Sequence, residues 1–117
     1  MNVANALASL AVFDLETAQP WYEQLLGPGN RVMETVAEWQ FPSGGGLQVY
    51  AGPERAGQGS CTLVVADVDA VVEHLHQTGL APGAAAVSHD WVDPVMLRDP
   101  DGNSIAFAHA KDDSLAA

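Results

Sequence analysis

The chain repeats itself. Asp14-Leu15 and Asp67-Val68 lie 53 residues apart, and Gly27 and Gly79 lie 52 apart. In each half an apolar run of strand length precedes the acid, and an apolar stripe at helical spacing follows it as far as the glycine. Strand-like segments and a Gly-rich turn complete each half. Such a period means two copies of one supersecondary unit, here β-α-β-β-β. A unit of about 55 residues has a sheet with one face that its single helix leaves bare, so two units must pair.

Residues 5–13 predict the first strand. Asp14 is a capping acid for a helix on which Trp21, Tyr22, Leu25 and Leu26 share a face, and Gly27 and Pro28 close it. Pro20 falls inside that stretch, so either one turn at 14–18 precedes the helix proper or the helix kinks at Pro20. Residues 31–41 read as one or two strands, Pro42-Ser43-Gly44-Gly45-Gly46 as a turn, and 47–50 as the returning strand. Residues 52–59, GPERAGQG, have the composition of a flexible link. The order then restarts with a strand at 61–65. A helix follows with Val68, Val71, Val72 and Leu75 on one face, then short strands at 85–88 and 94–98, the turn Asp99-Pro100-Asp101-Gly102, and a last strand at 104–109. The expected organisation is one 117-residue domain: module 1 at about 5–51, linker 52–59, module 2 at about 60–110, and a frayed tail at 111–117.

Charge excludes some partners. Fifteen acids face four bases, a net charge of −11. Such a chain repels phosphate, so neither nucleic acid nor an anionic membrane is an expected partner. A cationic ligand would gain from the field, although solubility alone accounts for it. The only lysine is Lys111, near the tail, against Schiff-base chemistry, and the only cysteine is Cys61, which excludes a disulfide within the chain and a Cys-based zinc cage. The Met1-Asn2-Val3 start lacks the basic opening of a signal peptide, and no apolar run reaches membrane-spanning length, so a cytoplasmic location is expected.

Val12-Phe13-Asp14-Leu15, Trp21-Tyr22, Leu25-Leu26-Gly27 and Arg98-Asp99-Pro100-Asp101-Gly102-Asn103 carry a resemblance. Across about residues 5–110 the chain resembles the vicinal oxygen chelate superfamily of glyoxalases, bleomycin-resistance proteins and extradiol dioxygenases. The resemblance implies an α+β fold in which two βαβββ modules form a cupped, mixed sheet. It implies a ligand in the cup and, in the enzymes, a divalent metal held by four side chains of the His, Gln and Glu type. The corresponding places here hold Leu7, Gln48, Ser60 and Ala106, and residues 1–73 contain no histidine. No metal and no cofactor is therefore expected. The resemblance also implies a homodimer, and the 52–59 link would permit exchange of modules between chains.

Strand alternation sorts the faces. Ala8, Leu10, Val12, Leu47, Val49, Cys61, Leu63, Val65, Val95, Leu97, Ile105 and Phe107 are expected beneath the helices, with Trp39 as core. The cup face then offers Ser9, Glu38, Gln40, Gln48, Tyr50, Ser60, Thr62, Met96 and Arg98 as ligand-binding candidates, with small Ala11, Ser104, Ala106 and Ala108 between them. Trp91, in a loop with His89, Asp90 and Asp93, is the candidate for stacking on a flat or cationic ligand. That loop could also bind metal or serve acid–base chemistry, or be a solvated rim. Arg98 reads mainly as support for the turn after it, and His74 and His76 as surface residues. Catalytic residues are not assigned. The expected function is binding of a small organic molecule, aromatic or cationic, with an antibiotic or drug as one case. The alternatives are a lyase, isomerase or dioxygenase with atypical metal ligands, and a homodimer with no ligand.

Overall fold

The computed structural model describes residues 1–80 and 95–109. The strand expected at 85–88, the loop of His89, Asp90, Trp91 and Asp93, and the tail at 111–117 lie outside the described residues. The first half runs β1 (Leu7–Val12), α1 (Leu15–Leu26), β2 (Asn30–Met33), β3 (Val36–Gln40) and β4 (Gly46–Ala51). The second runs β5 (Ser60–Val65), α2 (Val68–Thr78), β6 (Val95–Arg98) and β7 (Ser104–His109). Two sheets result, ordered β1-β4-β3-β2 and β5-β7-β6. In each, the strand before the helix lies parallel to the last strand of its own half, Ser9 opposite Gln48 and Thr62 opposite Ala106.

The repeat extends to single hydrogen bonds. The Asp14 carboxylate accepts from the Thr17 amide at 2.8 Å, and Asp67 accepts from Ala70 at 3.2 Å, capping the two helices alike. Gly27 and Gly79 end them, each with positive φ. In the last hairpins, Phe41 N–H donates to Gly45 O and Gly44 N–H to Phe41 O. In the second half Asp99 N–H donates to Asn103 O and Gly102 N–H to Asp99 O. Asp99 therefore stands where the first half has Phe41. Helix α1 runs as one element through Pro20. Glu16, whose carbonyl a donor at that position would have met, is exposed to water.

Both helices cover one side of the sheets. Leu10, Val12, Leu47, Val49, Leu63, Val95, Leu97, Ile105 and Phe107 are buried there with Leu15, Tyr22, Leu25, Val72 and Leu75, in one core that spans both halves. Trp39 belongs to this core; its Nε1–H donates to the Gly27 carbonyl at 2.8 Å.

A buried polar joint locks the halves together. Tyr22 Oη donates to Asp99 Oδ2 at 2.6 Å, across 77 residues of sequence. Asn103 Nδ2 donates to Asp99 Oδ2 and to the Ala11 carbonyl, both at 2.7 Å, while its Oδ1 accepts from Gly59 N–H at 2.9 Å. Asp99 Oδ1 accepts from the amides of Asp101 and Asn103. Burial, and after it the bond to Asp99 and that carboxylate's charge, drive the Tyr22 phenol far above its ordinary pKa. These bonds tie the first half's Ala11 and Tyr22 to the second half's Asp99 and Asn103.

The 52–59 segment departs from the expected loose link. Gly52 N–H donates to Val12 O, Arg55 N–H to Gly52 O, Gly57 N–H to Ala11 O and Gln58 N–H to Arg55 O. Its glycines serve close approach and a left-handed turn rather than slack: a Cβ on Gly57, at φ 81°, would land on the Asp101 carbonyl.

Candidate ligand-binding site on the face away from the helices

Alternation places the expected cup residues on the sheet faces turned away from the helices. On the first sheet Ser9, Gln48 and Glu38 stand in one row across β1, β4 and β3. Ser9 Oγ donates to Gln48 Oε1, and Gln48 Nε2 donates to Glu38 Oε2, each at 3.2 Å. The other carboxylate oxygen of Glu38 has no hydrogen-bond partner among the described residues. Tyr50 follows Gln48 on the same face, level with Ala11 on β1. Gly52 lies against the Tyr50 ring, where an added Cβ would sit 2.8 Å from Cε2. A side chain at position 52 would therefore require the Tyr50 ring to move.

Two adjoining cavities open at this place. One, of about 280 Å³, is lined by Ser9, Ala11, Tyr50, Arg55, Gln58 and Gly59. The other, of about 360 Å³, is lined by Tyr50, Gly52, Pro53, Glu54 and Arg55. Together they form a trough at the joint between the modules. Its floor is strand and its wall is the 52–59 turn, held by backbone bonds to Val12 and Ala11 and, through Gly59 N–H, to Asn103 of the joint. A rigid wall of this kind presents Arg55 and Gln58 without the entropy loss of ordering a loose loop.

The expected site residues divide between the two sheets. Ser9, Gln48, Glu38 and Tyr50 come together at or beside the trough, and exposed Gln40 stands at the far end of β3, opposite Gly46. Ser60, Thr62, Met96 and Arg98 are exposed on the second sheet, outside the residues that line the trough. Arg98 Nη1 donates to the Gly102 carbonyl at 2.9 Å, which is the turn-supporting role expected of it. Trp91 lies outside the described residues. Arg55 and Gln58 were absent from the sequence-based candidates because their segment has a linker's composition. The available signal was one of only four bases, placed five residues after an aromatic on the cup face.

A third cavity, of about 530 Å³, lies where the first half's hairpin meets β5. Here Phe41 and Gly45 replace Asp99 and Asn103, so the polar network of the other joint is not repeated among the described residues. Its walls are largely apolar, including Ala8, Leu26, Phe41, Leu63, Val65 and Phe107, and among the described residues only Ser43 and Thr62 bring hydroxyls. It offers volume but few groups to orient a ligand, whereas the trough offers several converging ones.

Among the described residues no three His, Cys, Asp or Glu side chains converge on one point. His74 and His76 are exposed on α2, and His74 Nε2 donates to the Gln24 carbonyl at 2.8 Å. Cys61 is half-buried, and burial, then the Asp99 charge, raises its thiol pKa, which keeps it a poor nucleophile. No helix among the described residues is long and apolar enough to cross a membrane.

Solved structures share this architecture. A glyoxalase / bleomycin resistance protein from Catenulispora acidiphila is 35% identical, over 92% of this chain and 99% of that one, with a TM-score of 0.77. An antibiotic binding protein from a Streptomyces species is 24% identical, over 95% and 99%, with a TM-score of 0.71. A bleomycin-binding protein complexed with bleomycin is 19% identical, over 95% and 100%, with a TM-score of 0.72. No protein-family profile and no curated protein matches the chain.

Proposed function

The chain belongs to the glyoxalase / bleomycin resistance protein family, within the vicinal oxygen chelate superfamily, and from that membership we propose that it is a binding protein for a small organic molecule, an antibiotic among the candidates. The observation that carries this reading is the trough. An aromatic ring, Tyr50, stands beside a row of hydrogen-bonding side chains, Ser9, Gln48 and Glu38, on the sheet face turned away from α1 and α2. A flat or aromatic ligand matches the ring, and a cationic group on it matches the free oxygen of Glu38 and the net charge of −11. The antibiotic binding and bleomycin-binding proteins of the same architecture support this class of ligand.

The donor set supports binding without a metal. Leu7 and Ala106 have no metal-binding atoms, Ser60 is a weak donor, and around Gln48 the oxygens are those of one serine and one carboxylate. A four-ligand Lewis-acid centre does not fit these side chains, so no reaction step is derived through one. The protein is further proposed to act as a homodimer in the cytoplasm. Val64 and Met96, each 45% exposed on the second sheet's outer face, are the apolar side chains a partner would cover.

A thermal-shift panel of planar aromatic antibiotics, bleomycin included, tests the reading. A ligand at a hundred times its Kd raises stability by about 2.7 kcal/mol, several degrees for a chain of this size. At least one aromatic compound is expected to do so with no added metal. A shift seen only with a divalent metal present would favour the enzyme alternative.

A further inference from the structure

We propose that the ligand of the trough carries an acidic oxygen group, a carboxylate or its equivalent, and that Arg55 is the residue that holds it. This rests on the reading of the trough as the binding site and names a second chemical feature of its ligand.

The described residues include three cationic side chains besides the chain terminus, and two are engaged by the fold. Arg31 donates to Gln19 Oε1 at 2.7 Å and to the Glu34 carbonyl, and pairs with Glu16. Arg98 donates to the Gly102 carbonyl. The Arg55 guanidinium makes no hydrogen bond or ion pair among the described residues, not even with Glu54 beside it in the same cavity wall. It lines both cavities of the trough, and Tyr50 is the other side chain common to both. Its backbone is fixed by the Arg55 N–H to Gly52 O and Gln58 N–H to Arg55 O bonds. A chain with fifteen acids had many ways to pair this arginine. Instead its planar fork of donors is unpaired among the described residues, in a wall shared with Tyr50. That fork matches a planar carboxylate by two parallel bonds.

The chain's net negative charge does not oppose this. Exposed acids act through water that screens them over about 8–10 Å, whereas Arg55 acts in contact. The net charge gathers a cationic ligand, and Arg55 sorts among such ligands for one that also bears an acid. An amphoteric aromatic molecule meets both demands: amine toward Glu38, ring on Tyr50, carboxylate on Arg55.

The test uses two probes that differ only in that group, 2-naphthylalanine and 2-naphthylalaninamide, titrated by calorimetry into the full chain and into Arg55→Gln. The wild type is expected to bind the acid about tenfold more tightly than the amide, the scale of a charge-assisted pair at a wet site. Arg55→Gln is expected to weaken the acid without weakening the amide, so that the preference is lost or reversed, with the thermal midpoint unchanged. Equal binding of acid and amide by the wild type overturns the assignment of Arg55 and leaves the aromatic site standing. So does equal weakening of both probes in the variant. Failure of both probes to bind the wild type overturns the trough as an aromatic site along with it.

Discussion

Replacing Tyr22 with Phe tests the joint that holds the two modules together. The change keeps the ring in the core, where the residue is fully buried, and deletes only the Oη–H bond of 2.6 Å to Asp99. A hydrogen bond to a charged group contributes about 1.5–3 kcal/mol, and Asp99 keeps its other donors, Asn103 Nδ2 and the amides of Asp101 and Asn103. The expected loss is in that range, a fall in thermal midpoint of roughly 5–15 °C. Asn103→Ala removes more. It deletes both Nδ2 bonds and strands the Gly59 N–H, so its expected loss is about 3–5 kcal/mol. The phenol adds a pH signature. Its folded pKa is raised, so its contribution is complete below the unfolded value near 10 and declines as pH rises above that. Above about pH 10 the gap between wild type and Tyr22→Phe should therefore narrow by up to about 1.4 kcal/mol per pH unit. Urea unfolding at pH 8 and pH 10.5 measures both effects. A Tyr22→Phe loss below about 0.5 kcal/mol, or a gap that is the same at both pH values, would refute the reasoning.

Gly57→Ala should be more damaging than an exposed turn substitution, by more than about 3 kcal/mol, because a left-handed residue gains a Cβ that meets the Asp101 carbonyl. A urea midpoint within error of wild type would show that the 52–59 turn can yield. Light scattering should give a mass of twice 12.3 kDa, and Met96→Glu should shift it toward the monomer; a monomer for the wild type across the micromolar range sinks the dimer.

Periodicity made the faces legible. An alternation of two residues can only put Leu10 and Val12 on one side and Ser9 and Ala11 on the other, and burial follows that division, apart from Ala11, which the 52–59 turn covers. The caps were equally legible, since Asp14, Asp67, Gly27 and Gly79 act within a few residues of themselves. The joint was not. Tyr22 reads as packing and Asp99 as a turn residue because each has a sufficient local role; their bond spans 77 residues, and no local pattern encodes it. The 52–59 segment is not legible locally for the same reason. Its glycines have a linker's composition, but Gly57 meets Ala11 and Asp101, and Gly59 meets Asn103, all distant in sequence. The place of Arg55 is hidden with it, since a basic side chain on a slack tether has no fixed place from which to meet a ligand.

The account stands on the trough as the place where a small molecule binds. Amide chemical shifts of ¹⁵N-labelled protein, followed during titration with the aromatic compound that stabilises it most, test this directly. The account predicts that the largest shifts fall on Ser9, Ala11, Gln48, Tyr50, Arg55 and Gly59, around the two adjoining cavities. Shifts concentrated instead on Leu26, Phe41, Leu63 and Phe107, which line the 530 Å³ apolar cavity, would contradict it.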